Sequence, residues 1–372
     1  MVLLALLLVA PVEAGPIFAS VEPELTIGMA GTWSRFHPVT DGFWFFQGAG
    51  GDYWAAHVED DLSGFNDQER IKLTDNGQLQ DNQVERCDDG GWLVAGSYTL
   101  DTHDDSSAVW RLDEDFGLIE RFVIEERAPE REHNDPVVLC SELATGIAAA
   151  DAQHRGSTFV DVSGDTPIES FLPEWNSMGG SMAVRASDNR IIAAGVNDPR
   201  GSSSISITVY DADFEEESTT EFTTPQGASF WPQRLLPFGD GWVLAYLDFS
   251  EIPGAGEVWL AALDADFALV DSIQITDNGS ADGRPWVVRK GDTLVVSYDR
   301  DIQPRAALVR LQPDAVPEND GLLDTANSAN DSGDGADPAG DPLADCACGT
   351  STGTHAALLA PILLYARRRR RS

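Results

Sequence analysis

DGWVLAYL (residues 240–247), followed ten residues later by EVWLAALDADF (257–267), sets the reading of the whole chain. The first phrase is a turn that leads into an apolar strand. The second alternates apolar and outward-facing residues and ends in an acidic turn. Aromatic and β-branched residues in period-two alternation favour strands over helices. The pair of phrases then recurs. DGFWFF (41–46), GGWLVAGSY (90–98), NRIIAAGV (189–196) and GDTLVVSY (291–298) repeat the first. DYWAAHVEDDL (52–62), SAVWRLDEDF (107–116) and SITVYDADF (206–214) repeat the second, with weaker copies in GSTFVDVSGD (156–165) and RAALVRLQPDA (305–315).

A further strand follows the acidic turn in RIKLTDNG (70–77), RFVIEE (121–126), TTEFTT (219–224) and SIQITDNG (272–279). With the inner strand that precedes each turn, a unit of about fifty residues holds four antiparallel strands, the pattern of a β-propeller blade. No long segment has helical period. The expected fold class is therefore all-β, a six-bladed propeller of four-stranded blades over residues 15–316. The sixth unit lacks its fourth strand. ELTIGMAG (24–31) resembles the missing segment, so Glu24–Met29 is expected to close the last blade and remove an open sheet edge.

The acidic turns carry Asp113, Asp115, Asp211, Asp213, Asp264 and Asp266. Asp holds such turns through its own backbone, whereas Asp-x-Asp alone supplies too few oxygens for calcium. The histidines are scattered without ligand spacing, so no metal and no cofactor is expected. Cys87 and Cys140 fall at the same step of the second and third units. Inner strands of neighbouring blades converge, so a disulfide between them is expected if their Cα atoms lie within about 7 Å; two buried thiols are the alternative.

The formal charge is −38, and lysine is confined to Lys72 and Lys290. A surface of that sign argues against nucleic acid as a partner. It fits a saline habitat or a genome that writes Arg for Lys, and composition does not choose between them. Residues 1–14, MVLLALLLVAPVEA, read as a secretory signal cut near Ala14. Residues 317–345 have no Lys or Arg and few apolar side chains, as expected of a disordered acidic linker.

The last stretch, 346–372, holds Cys346 and Cys348, an apolar run Ala356–Ala366 broken by Pro361, and five arginines, Arg367–Arg371. The run is shorter than the roughly twenty residues that span a bilayer comfortably. Its order of elements resembles the MYXO-CTERM sorting domain of myxobacteria and their relatives. That resemblance implies export, processing by a membrane protease of the myxosortase type near Cys346 or Cys348, and display at the cell surface or outer membrane. The tail would then lie only transiently in the inner membrane. A retained anchor is the alternative.

Propellers bind ligands where inner strands begin. The segments leading there supply His37, Asp81, His133, Asp135, Trp231, Arg234, Arg284 and Trp286. Aromatic faces, guanidinium forks and carboxylates together suit a carbohydrate or a surface-protein ligand; the same residues would also serve to pack the blade junctions. No nucleophile elbow, phosphate loop or zinc signature is present. The expected function is a monomeric binding or scaffolding module. The alternative is a secreted glycoside hydrolase-like propeller acting on polysaccharide, with two carboxylates that the sequence does not single out.

Overall fold

Each apolar phrase quoted above contains a strand in the computed structural model. It describes residues 17–28, 30–74, 79–99, 105–123, 133–151, 156–163, 168–173, 175, 180–196, 204–224, 230–252, 255–280 and 282–317. The expected signal (1–14), the linker beyond Pro317 and the sorting tail with Cys346 and Cys348 lie outside the described residues.

Two short strands come first, β1 (Phe18–Val21) and β2 (Leu25–Thr26). The first blade is β3 (Thr32–Val39), β4 (Gly42–Ala49), β5 (Asp52–Val58) and β6 (Ile71–Lys72). The second is β7 (Leu79–Arg86), β8 (Trp92–Thr99), β9 (Asp105–Leu112) and β10 (Leu118–Val123). The third is β11 (His133–Cys140), β12 (Thr145–Asp151), β13 (Gly156–Asp161) and β14 (Ile168–Pro173). The fourth is β15 (Ser181–Arg185), β16 (Arg190–Gly195), β17 (Ile205–Tyr210) and β18 (Glu216–Phe222). Then come β19 (Phe230–Phe238), β20 (Gly241–Ile252), β21 (Ala255–Leu263) and β22 (Leu269–Gln274), and last β23 (Asp282–Lys290), β24 (Thr293–Arg300) and β25 (Gln303–Leu311). One 3-10 turn, Pro313–Ala315, follows.

The first four groups are separate antiparallel sheets. The last two are joined into one nine-stranded sheet by a single pair, Gly256 with Asp282. Inner strands approach one another in the order β3, β7, β11, β15, β19, β23 and back to β3. The apolar side chains collect between blades rather than in one centre. Trp92, Val94 and Trp110 meet Phe46 and Tyr53 of the preceding blade. Leu235, Trp242 and Leu244 meet Ile192, Ile205 and Ile207. Trp286, Val288 and Val295 of the last blade meet Phe36, Phe43 and Phe45 of the first, which closes the ring. Each such side chain contributes roughly 1.5–3 kcal/mol by leaving water, so a ring of junctions outweighs any one blade.

The N-terminal segment does supply the fourth strand of the last blade, but not as one run over Glu24–Met29. It lies antiparallel to β25 in two pieces: Phe18, Ser20 and Val21 face Leu311, Arg310 and Val309, and Leu25 and Thr26 face Ala306 and Arg305. Pro23, which has no N–H to give, falls at the break. The strand also begins earlier than its sequence suggests, because Asp271 of β22 accepts hydrogen bonds from the Ile17 and Phe18 amides at 2.7 and 3.0 Å. Met29 is outside the described residues.

Cys87 and Cys140 form a disulfide with a Cα separation of 4.8 Å. It joins the end of β7 to the end of β11, two neighbouring inner strands.

Candidate functional site

Five inner strands carry an extra residue at the same step. The pairing slips between Thr32 and Arg35 in β3, Gln80 and Gln83 in β7, and Asn134 and Val137 in β11. It slips again between Pro232 and Arg234 in β19 and between Gly283 and Trp286 in β23. A bulge bends its strand and re-aims the next side chain. It also tolerates proline, which explains Pro136, Pro232 and Pro285 in strands. Two bulge residues, Trp33 and Arg284, sit in the left-handed region at φ 61° and 55°. Neither is glycine, so this backbone is strained, as functional sites often are.

The two strained residues meet. The Arg284 guanidinium lies 4.6 Å from the Trp33 ring centre, and its Nη1 is 3.8 Å from Asp299. Asp299 is buried in β24 and accepts from the Trp33 amide and the Ser34 hydroxyl, each at 2.7 Å. Burial pushes its carboxyl up, against those hydrogen bonds and the nearby arginines. Tyr53 donates to the Trp33 carbonyl at 3.1 Å, and burial pushes its hydroxyl up too.

Arg35 and Arg234, the first residues after two of the bulges, both stack on Trp286, with centroid distances of 4.4 and 4.2 Å. Arg234 forms a two-pronged ion pair with Glu85, so β19 is tied across the channel to β7. Arg35 is fully buried; its Nη1 donates to the Ser34 and Arg284 carbonyls at 3.0 and 3.1 Å. Among the described residues, its Nε and Nη2 meet no hydrogen-bond partner, and neither does Nε of Arg234. Desolvation pushes Arg35 down to about 10 and, with Arg35 as a neighbouring cation, Arg234 down to about 9. Both stay charged at neutral pH.

His37 lies two residues past Arg35, edge-on to Trp92 with ring centroids 5.0 Å apart. Desolvation, then Arg86 and Arg234, pushes it down to about 3, so it is a neutral imidazole.

Of the eight residues expected at the rim, Arg234 and Trp286 meet directly and Arg284 joins them through Arg35, while His37 lies instead against Trp92 at the junction with the second blade. Asp81 and Asp135 occupy bulge steps of β7 and β11, and His133 and Trp231 lie near the starts of β11 and β19. The side chains of those four lie outside the described residues. Trp33, Ser34, Arg35, Glu85 and Asp299 were not expected from sequence. The one available signal was alignment: Arg35 occupies the same step of its unit as Arg234 and Trp286.

No family model matches this sequence, and no curated protein does. Solved structures do resemble it. A protein of unknown function from Dyadobacter fermentans aligns with TM-score 0.57 and 13% identity over 78% of this chain and 98% of its own. A mutant Trypanosoma rangeli sialidase with trans-sialidase activity aligns with TM-score 0.52 and 9% identity, over 81% of this chain and 60% of that one. A subtype N10 neuraminidase-like protein of A/little yellow-shouldered bat/Guatemala aligns at 0.48 and 11%, over 79% and 99%. At such identities the likeness is one of fold: this chain is a β-propeller.

Proposed function

We propose that this chain is a six-bladed propeller that works as a ligand-binding or scaffolding module held outside the cell. Its ligand would enter at the channel end where the bulged inner strands meet. The observation that carries this reading is the set of Arg234, Arg284, Trp33 and Trp286, drawn from three blades and aimed by bulges, two of them strained. Packing alone does not call for left-handed Trp and Arg side by side. Export is supported by the apolar leader, by the likeness of residues 346–372 to a sorting tail, and by a disulfide, which persists in oxidising compartments. Hydrolysis has less support. Glu85 and Asp299, the described carboxylates nearest the cluster, are both held by partners from the chain.

A screen of glycans and surface proteins against the full chain, with Trp33→Ala and Arg284→Ala beside it, tests the site. A ligand whose affinity falls at least tenfold in both variants supports it. A ligand indifferent to both, or turnover of aryl glycosides abolished by neutralising a rim carboxylate, overturns it. Fractionation of expressing cells with mass spectrometry of the mature C-terminus tests display. Intact polyarginine on cytosolic protein would refute that half.

A further inference from the structure

We infer that the hairpin tip Asp301–Ile302, where β24 turns into β25, anchors a contact between two copies of this chain.

The tip is a two-residue turn, since Arg300 pairs with Gln303, and both of its residues are left-handed, Asp301 at φ 50° and Ile302 at φ 58°. Such a turn normally carries Asn and Gly, because a side chain there costs stability and a β-branched one costs most. Among the described residues, the other apolar side chains with that backbone are all packed. Leu62, Phe116 and Phe267 are buried, Phe214 stacks on Phe159 at 4.2 Å, and Trp33 lies against the core between the first two blades. Packing offsets their strain. Ile302 is 63% exposed, so within one copy no packing offsets its own. The tip is nonetheless firmly held. The Ile302 carbonyl accepts the Gly31 amide at 2.7 Å, and the Pro304 carbonyl accepts the Ile27 amide at 3.1 Å. An apolar side chain presented on a rigid turn loses little freedom when it is covered, which suits it to anchor an interface.

The charges around the tip point to a second copy as the partner. Leu25, 39% exposed, and Thr26 lie on β2 beside Ala306 and Arg305 of β25. Arg284 and Arg305 are part-exposed at this corner, and so are Glu24 and Asp301. Two cations thus stand with two carboxylates, in a chain whose 62 acidic residues outnumber 24 basic ones. Two copies of charge −38 repel over most of their surfaces, and a basic partner would be drawn to that acidic remainder rather than to a balanced corner. In an isologous contact each copy's arginines meet the other's carboxylates, because residue i meets j and j meets i. The two Ile302 side chains and the two Leu25 side chains then cover each other.

Sedimentation equilibrium of the full chain from micromolar to millimolar concentration, in about 0.5 M sodium chloride to shorten the repulsion between copies, tests the inference. A reversible monomer–dimer equilibrium is expected. Ile302→Gly keeps the turn, since glycine takes that φ freely. It should weaken dimerisation at least tenfold and raise the melting temperature of the dilute monomer. Arg305→Glu upsets the balance of charge and should also weaken dimerisation, because like charges then face each other. Leu118→Ser with Ile119→Ser, at exposed apolar positions of β10, should leave it unchanged. A wild-type chain that stays monomeric throughout overturns the inference and leaves Ile302 to a partner of another sequence. A dimer indifferent to Ile302→Gly, or one lost in the β10 variant, overturns it as well. A lower melting temperature in Ile302→Gly would do the same, since the side chain would then serve the fold itself.

Discussion

Asp264 accepts the amides of Asp266 and Ala268 at 3.0 and 2.8 Å, and Asp113 and Asp211 repeat the pattern in their own turns. Each turn ends in a phenylalanine in the left-handed region, Phe116, Phe214 and Phe267 at φ 65°, 61° and 65°. Such a φ is costly for an aromatic residue, and the Asp side chain stabilises the turn that demands it. Two of these rings, Phe116 and Phe267, are buried against blade junctions, where Phe267 stacks on Trp242 and Phe116 on Trp92. Asp264→Ala should cost about 1–2 kcal/mol, and Asp113→Ala with Asp264→Ala should cost nearly the sum, since the turns are far apart; urea titrations measure both. His37 acts differently, through pH. Its pKa is about 3 folded and near 6.5 unfolded, so the unfolded chain binds the extra proton between those values. Its contribution is whole above pH 6.5 and is lost as pH falls toward 3. His37→Gln should flatten stability against pH in that window and leave pH 8 nearly unchanged.

At the scale of the element, the N-terminal strand and the inner strands do opposite work. Apart from the single pair of Gly256 with Asp282, the inner strands present unpaired edges to the channel among the described residues, and they tolerate bulges, prolines and charges. β1 and β2 instead cover an edge, and side chains reinforce the backbone pairs. Glu24 accepts from Tyr298 at 2.6 Å and pairs with Arg300 at 2.8 Å, while Glu22 pairs with Arg310 at 2.7 Å. Removing residues up to Thr26 would leave β25 open along its length. The truncated protein should melt at lower temperature and form concentration-dependent aggregates by light scattering, because an exposed strand edge templates association. A truncation that stays monomeric with an unchanged melting temperature would contradict the closure. These elements also mark where sequence reading stops. The apolar run at 240–247 and the alternation at 257–267 are local properties, so strands and repeats could be read directly. Closure by the N-terminus followed from one missing strand, although the break at Pro23 shifted its bounds. Arg35 was passed over because its role depends on a register slip between β3 and β4 and on Trp286, 251 positions away in number. SRFHPV drew attention to His37, whose type is conspicuous, rather than to the arginine that the bulge buries.

For the molecule as a whole, ring and charge pull against each other. Junctions between blades hold the ring by apolar contact, and the last junction, Phe36, Phe43 and Phe45 against Trp286 and Val295, joins the two ends of the propeller. The 62 acidic residues outnumber the 24 basic ones, so most carboxylates have no cation to pair with even if every Arg and Lys is engaged. The cations that do pair hold particular places, as Arg300 holds Asp282 at 2.6 Å and Lys72 holds Asp52 at 2.7 Å. What remains is mutual repulsion across the surface, which favours any state that spreads the charges apart. Salt shortens its reach, from about 10 Å at 0.1 M to about 3 Å at 1 M. Surface ion pairs weaken over the same range, but each is individually worth little. Repulsion therefore dominates the salt response, and the melting temperature should rise steadily from 0.05 to 1 M sodium chloride. Potassium chloride should act equally, since screening does not distinguish the ions. Scanning calorimetry at fixed pH measures the effect. A melting temperature that falls with salt would mean that ion pairs such as Arg300 with Asp282 contribute more to the ring than the unpaired carboxylates take from it.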